Sequence, residues 1–428
     1  MNKQMNLPRL VFLDGPGPPP PVWYLPKLSE NFELHVLWSP TGDETKDALQ
    51  ERTLSQFCDN SPLLSGEGSL DAILDFCRKW HPEGILGFSE MVVTETHAAA
   101  LELGLPANSP ESLTALRSKE EQRVALAKGG VPVPRFASVR SPSELIGAVA
   151  EVGLPAVLKP SAGVGSMATY QVTQGVDLRQ LWDTAASRYT ADPRGNGSVH
   201  FVLEEMLIGE GWHGNARYAP YVSVESLVHN GSVTHFSVTD KLPLSEPFRE
   251  NGCILPSTLP NHRVSSILEC ATQAIHAMGI TNSMVHTEVM LTAAGPRIIE
   301  VNSRLGGGVI EMLHLSFEYD IVTAMACVAT GRPIAQPGPP LRNSALYFPQ
   351  SPAQDVALAG VPSVDELMAF DEVVEAELYA QVGDRPDWRR GTSGGKLARV
   401  IAASKDPEQL LDLADFLVSD KAFTYVPG

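Results

Sequence analysis

The chain is 428 residues long and 43% hydrophobic, with 50 acidic against 32 basic side chains for a formal charge of −18. That length exceeds one small core and fits about two to four domains of roughly 100–200 residues each, and the acidic excess excludes a broad electrostatic grip on nucleic acid or an anionic membrane. Cys58, Cys77, Cys253, Cys270 and Cys327 are odd in number and without CxxC spacing, which argues for a reducing compartment rather than a disulfide framework or zinc site.

The N-terminal stretch ends its apolar run at Asp14 and enters a proline run at 18–21. It does not read as a secretory signal, and no later segment approaches ~18 uninterrupted apolar residues, so a soluble cytoplasmic protein is expected. Short buried strands are expected at 10–13 and 34–38. Leu70, Ile73, Leu74, Cys77 and Trp80 recur at helical spacing behind Ser69, which predicts a helix over 69–80. A strand at 84–88 and a helix over 94–103 complete a parallel α/β unit. Pro106 and Pro110 interrupt the pattern, and 106–118 is read as the first boundary.

A helix over 118–128 ends at Gly129-Gly130, extended structure resumes over 131–139, and a helix over 141–152 ends at Gly153. The strand PAVLKP leads to a glycine-containing loop at 161–168. Strands dominate 199–238, a helix is expected over 263–278, strands over 284–291 and 297–302, and apolar helix over 309–330. Four prolines between Gly331 and Pro340 mark a linker, followed by a β-rich unit with a final helix near 407–417. The expected domains are 1–106, 107–198, 199–332 and 333–428.

The segment from His286 to Gly308 carries the most information. With Ala293-Ala294-Gly295 as a three-residue hairpin loop, Thr292 faces Pro296 and Glu288 faces Glu300, with Asn302 on the same side. Opposed carboxylates repel unless solvent separates them or a cation joins them. An oxygen-rich Glu288, Glu300, Asn302 set suits a Mg²⁺ that keeps waters and substrate phosphates; a solvated exposed hairpin is the other reading. Lys159 ends an apolar strand beside SAGVGSMA, a plausible phosphate clamp or a surface lysine. The loop fits neither the Walker nor the Rossmann glycine pattern. Lys119 starts a helix beside Glu120 and Glu121, where intrahelical pairing explains it equally well. Glu204-Glu205 ends a strand, as a charged terminus or as a hinge.

In this order, Lys119, Lys159 with its glycine loop, Glu204-Glu205, Glu288 and E-x-N-x-R at 300–304 resemble the ATP-grasp superfamily over roughly 105–330. SVESLVHNG, VTDK, PFRENG and the following LPS make the sequence similar to L-amino-acid ligases and related peptide ligases. The resemblance implies an α/β (α+β) ATP-grasp fold: an N-terminal parallel domain, a two-part ATP-binding core and a C-terminal β-rich subdomain. It implies that Lys119 and Lys159 hold ATP phosphates, that Gly163, Gly165, Ser166 and Met167 cover them, and that adenine lies against Glu204, Glu205, Met206 and Leu207. It further implies Mg²⁺ at Glu288, Glu300 and Asn302, usually two ions with Mn²⁺ as a substitute, and Arg304 stabilising an acyl-phosphate and the tetrahedral intermediate after it.

Glu225, Lys241 and Glu250 are the charged candidates for substrate recognition, by analogy, and each also fits a surface strand charge. Gly306-Gly307-Gly308 departs from relatives with bulkier residues nearby, and predicts a roomier substrate pocket. Gly211 to Tyr221 stands where relatives pass quickly to the SVE-like strand, leaving the ribose carboxylate open between Glu205 and Glu210. The implied activity is ATP-dependent joining of an amino acid or short peptide to an amine-bearing amino acid or peptide, releasing ADP and phosphate. The rivals are an ATP-grasp carboxylase or nucleotide-precursor enzyme, and a nucleotide-binding module without catalysis. The apolar helices could support a homodimer.

Overall fold

The computed structural model describes residues 7–15, 19, 21–41, 43–63, 69–163, 165–192 and 198–428. Pro18 and Pro20 of the proline run and position 164 of the glycine loop lie outside the described residues.

The first sheet is parallel, in the order Asp59–Pro62, Glu33–Trp38, Arg9–Asp14, Gly84–Gly87. Its inner strand Arg9–Asp14 is buried through its apolar centre, as expected where helices cover both faces. The chain steps outward through the first three strands and then returns to the other side of the first. The carboxyl ends of Arg9–Asp14 and Gly84–Gly87 therefore flank a topological switch point, and Glu90 emerges just beyond it.

The second sheet is antiparallel, in the order Phe136–Val139, Phe201–Glu205, Ala156–Pro160, Tyr170–Val172. Helices Pro142–Val152 and Leu178–Ala191 share its core through Leu145, Val152, Trp182, Tyr189 and Phe201. Phe201–Glu205 lies past the expected boundary at 198, yet it pairs within this sheet.

The third sheet has eight antiparallel strands, in the order Gly295–Asn302, Ser283–Thr292, Tyr221–His229, Ser232–Lys241, Gly252–Leu255, Asn343–Tyr347, Ala398–Ser404, Val373–Leu378. The last three come from the expected C-terminal unit, so that unit extends the same sheet. Side chains alternate across it. Val222, Val224, Val285 and Val289 pack beneath helix Asn261–Ala277. On the opposite face Leu227 and Met284 pack with helices Val309–Phe317 and Ile321–Ala329 and with Leu10 and Phe12 of the first sheet. The apolar stretch at 309–330 is thus two helices, broken at Glu318 in the left-handed conformation with φ 50°.

Several expectations change. The boundary at 106–118 contains helix Pro110–Arg117, because Ser109 accepts from the Ser112 amide and Pro110 occupies the first turn, where it costs no hydrogen bond. Helices Leu25–Asn31, Glu44–Leu54 and Leu178–Ala191 add to the expected set. The hairpin turn is shorter than the three residues expected: Thr292 pairs Gly295 and Leu291 pairs Pro296. A bulge then absorbs Ile299, so Glu288 opposes Glu300 after all. Among the described residues, no single helix is long and apolar enough to cross a membrane.

Candidate active site

The bulge decides which side chains meet. It turns Ile298 and Val301 to the core beneath helix Asn261–Ala277 and leaves Glu300 and Asn302 on the other face with Glu288 and His286. Opposed carboxylates repel unless solvent or a cation comes between them, and Lys119 brings a cation to Glu300. Ser118 caps helix Lys119–Lys128, which aims Lys119 Nζ at Glu300 Oε1, 2.6 Å away, and at the Gly163 carbonyl, 3.2 Å away. Burial works against the Glu300 charge, but Lys119 and then Lys159 hold its carboxyl down at about 2. Burial likewise opposes Glu288, but the His286 hydrogen bond together with the Lys241 and His286 charges keeps Glu288 below the ordinary carboxylate range.

One helical turn beyond Lys119, buried Arg123 makes a two-pronged pair with Glu204, both bonds 2.9 Å, and donates to the Ile299 carbonyl on the bulge. Lys159 reaches the same carboxylate at 2.8 Å. Burial raises Glu204, but Arg123 and Lys159 together bring it to about 2. Lys159 itself is lowered, by burial first and by Arg123 beside it, against the pull of Glu204. The directions agree on one arrangement, an ionised carboxylate shared by two cations, with Arg123 the firmer partner. Glu204 therefore turns inward, onto Arg123 and Lys159. Glu205 is half-buried and pairs with Arg135 at 3.3 Å, and the Glu205 and Met206 amides donate to Arg135 and Pro155 carbonyls.

Further along the same face, His286 Nδ1 lies 2.8 Å from Glu225 Oε1, which also accepts from Ser223. His286 Nε2 is 3.6 Å from Glu288. Burial lowers His286, but the Glu225 charge and its hydrogen bond dominate and raise it to about 9. The buried Glu225 Oε2 has no hydrogen-bond partner among the described residues. Lys241 pairs Glu250 at 3.0 Å beside Tyr221. Burial opposes the Lys241 charge, but Glu250, joined by Cys253, Tyr221 and Glu288, holds the ammonium well above its ordinary range. Arg304 closes the group: its Nε donates to Glu90 at 2.5 Å across from the first sheet's switch point.

The glycine triplet does not read as uniform space. A Cβ at Gly306 would lie 2.7 Å from His286 Nδ1 and 2.8 Å from Val309 Cγ2, and one at Gly308, where φ is +71°, would run into Leu346. Gly307 alone of the three faces open space, so the roomier pocket expected from three glycines reduces to one position.

Among the described residues, no three His, Cys, Asp or Glu side chains are grouped to hold a metal by themselves. Two carboxylates and an amide on one face are a partial oxygen set, which fits a Mg²⁺ that completes its shell with water and phosphate.

A family model described as an ATP-grasp domain matches residues 152–312, a span holding Lys159, Glu204, Glu288, Glu300, Asn302 and Arg304. That stretch, well under half of the chain, is similar to an ATP-grasp domain. Alanine–anticapsin ligase of Bacillus subtilis (strain 168) is 26% identical over 254 residues, covering 56% of this chain and 52% of that protein. Across three curated relatives the chain spans 64%, 52% and 44% of their lengths. The L-amino acid ligase of Bacillus licheniformis has the same fold, with a TM-score of 0.74 at 18% identity, covering 99% of this chain and all of that one. So has the Staphylococcus aureus N5-carboxyaminoimidazole synthetase complexed with ADP, with a TM-score of 0.69 at 12% identity over 97% of this chain and 98% of that one.

The fold gathers Lys119, Lys159, Gly163, Glu288, Glu300, Asn302 and Arg304 in one polar cluster, here called the basin, with Glu225, Lys241 and Glu250 adjoining it through His286 and Glu288. The sequence reading misses three neighbours. Arg123 had a signal, four residues after Lys119 on a predicted helix and hence on one face. His286 had one too, two residues before Glu288 on a strand. Glu90 had none, since only the packing of two domains brings it to Arg304. The segment 211–221 is fastened elsewhere: Trp212 lies under Arg263 at 4.2 Å, and Arg217 pairs Glu408 and Asp412 of helix Pro407–Leu417.

Proposed function

We propose that the chain is an ATP- and Mg²⁺-dependent carboxylate–amine ligase that joins an amino acid or short peptide to an amine-bearing amino acid or peptide through an acyl-phosphate. The observation that carries this reading is the Glu288–Glu300 pair on one sheet face, with Lys119 on Glu300 and Arg304 alongside. A carboxylate is inert to an amine because its oxygen is a poor leaving group. Transfer of the γ-phosphoryl group to that oxygen expels ADP, and attack by the amine nitrogen then forms the C–N bond as phosphate leaves and the nitrogen loses a proton.

Negative charge gathers on the transferred group, and preorganised cations offset it best where water is excluded. Lys119 and Lys159 would meet the phosphates and Arg304 the acyl oxygen. Gly163, Gly165, Ser166 and Met167 would cover them and keep water from a labile intermediate. Mg²⁺, held by Glu288, Glu300 and Asn302, would supply positive charge at phosphate oxygens. The unpartnered Glu225 oxygen and the half-buried Glu250 suit a substrate amino group.

The likeness to amino-acid ligases supports this substrate class, while the carboxyaminoimidazole synthetase fold supports a second reading, a carboxylase-type ligase. Phosphate release from Mg-ATP across amino-acid and peptide pairs decides between them. Release that needs both a carboxylate and an amine, with the amide detected as product, is expected. Bicarbonate-dependent release would transfer the conclusion to the second reading, and no stimulated release with any pair would leave a nucleotide-binding module.

A further inference from the structure

The C-terminal unit reaches the basin through the short segment Gly391 to Gly395 and through Gln350. The Thr392 amide donates to the Gly165 carbonyl at 3.3 Å, and Thr392 Oγ1 accepts from the Glu250 amide at 3.1 Å. One residue thus bonds both the backbone of the glycine loop and the backbone that carries Glu250. Its neighbours are shaped for this place. Gly391 has φ +74°, and a Cβ there would collide with the Gly165 carbonyl and come within 3.3 Å of the Met167 amide. On the other flank the Ser351 amide donates to the Gly395 carbonyl at 2.8 Å, and Gln350 Nε2 donates to the Glu250 carbonyl at 3.0 Å. The Glu250 peptide is therefore held from both sides by the C-terminal unit, and one of those holds continues into the loop.

We propose that Thr392 is a positioning residue that couples the loop on the phosphate side to Glu250 on the substrate side. Such a link transmits in both directions, because coupling between two sites is reciprocal. A nucleotide that settles the loop steadies the Glu250 segment, and a substrate held at Glu250 steadies the loop. The inference rests on the nucleotide-binding part of the proposed function, and it assigns the far C-terminal unit a part in it.

Amide hydrogen exchange with and without Mg-ADP tests it on the full chain. In the wild type, Mg-ADP is expected to slow exchange in peptides covering both 161–169 and 245–253 by about tenfold, the scale of one hydrogen bond. In Thr392→Val, which keeps the amide and loses the acceptor oxygen, slowing persists at 161–169 and disappears at 245–253. Thr392→Ser restores it. Equal Mg-ADP protection at 245–253 in wild type and Thr392→Val, or protection confined to 161–169 in the wild type, would overturn the coupling while leaving the nucleotide site standing. No protection at 161–169 in the wild type would overturn the nucleotide reading itself. Equal melting temperatures for the three proteins exclude unfolding as the cause, and if Thr392→Val melts lower, Gly391→Ala gives the same comparison from the loop side.

Discussion

Lys119 Nζ lies 2.6 Å from Glu300 Oε1, so the counter-ion of a hairpin carboxylate comes from a helix 181 residues earlier in the chain. Without that ammonium Glu300 faces Glu288 with a like charge directly opposite, which is unfavourable on a sheet. Lys119→Met is expected to lower substrate-stimulated phosphate release by about 100–1,000-fold, the usual effect of one charge-stabilising donor. Steady-state phosphate release checks this. Turnover within about twofold of wild type would reduce Lys119 to a structural ion-pair partner.

Arg304 is bonded to Glu90 and to the Leu305 carbonyl, and its charge lies close enough to Glu300 and Glu288 to be raised by both after burial and Glu90 have acted. Arg304→Ala is therefore expected to abolish amide formation, by about 100-fold or more, while calorimetric Mg-ADP affinity stays near wild type. Lost ADP affinity with normal turnover would contradict the assignment.

Arg123, Glu204 and Lys159 form a cluster in which one carboxylate serves two buried cations. Glu204→Gln leaves both uncompensated, and breaking a buried pair from one side typically costs about 3–5 kcal/mol. Urea unfolding should show a loss of that size. The Glu204 carboxyl stands at about 2 against an ordinary 4.5. Its contribution is thus complete above pH 4.5 and is lost as pH falls toward 2, so wild type and Glu204→Gln should converge in stability in acid.

How much of this was legible in the sequence depends on the range of the interaction. Helix Ser69–Trp80 follows from local periodicity, and the Glu288–Glu300 pairing from a hairpin. Yet that pairing came out right because two local departures cancel: a turn shorter by one residue and a bulge at Ile299. A sequence gives no sign of a bulge until the two strands have faces to match. Intrahelical pairing with Glu120 and Glu121 explains Lys119 as well as a phosphate role does in the sequence, and in the fold it pairs with Glu300. Local charge spacing cannot rank a helical neighbour against a partner supplied by the fold. Glu90 and Thr392 lay wholly outside such reach, since they meet the basin through domain packing.

The glycine triplet yields a contrast between neighbours. Gly307→Ala meets open space and should retain activity within about threefold. Gly306→Ala drives a Cβ against His286 Nδ1, the atom that bonds Glu225. That should lower turnover by about tenfold or more, since a displaced ring releases Glu225 and Glu288 together. Equal tolerance at both positions would show that His286 can shift without consequence.

His286 gives the sharpest dependence on pH. Its imidazole is raised from 6.5 to about 9, with burial opposing and the Glu225 charge and hydrogen bond prevailing. A folded-state value above the unfolded one means that the charged form stabilises the fold. The contribution is complete below pH 6.5 and fades as pH rises through about 9. Melting curves of wild type and His286→Gln should therefore differ by a constant amount below pH 6.5 and draw together from there to pH 9. The neutral glutamine keeps a polar side chain near Glu225 but cannot carry the charge, so the pH-dependent part of the difference belongs to the imidazolium. A gap that stays constant across the window would mean that His286 is neutral in the fold, and that Glu225 and Glu288 are balanced by Lys241 and Lys119 instead.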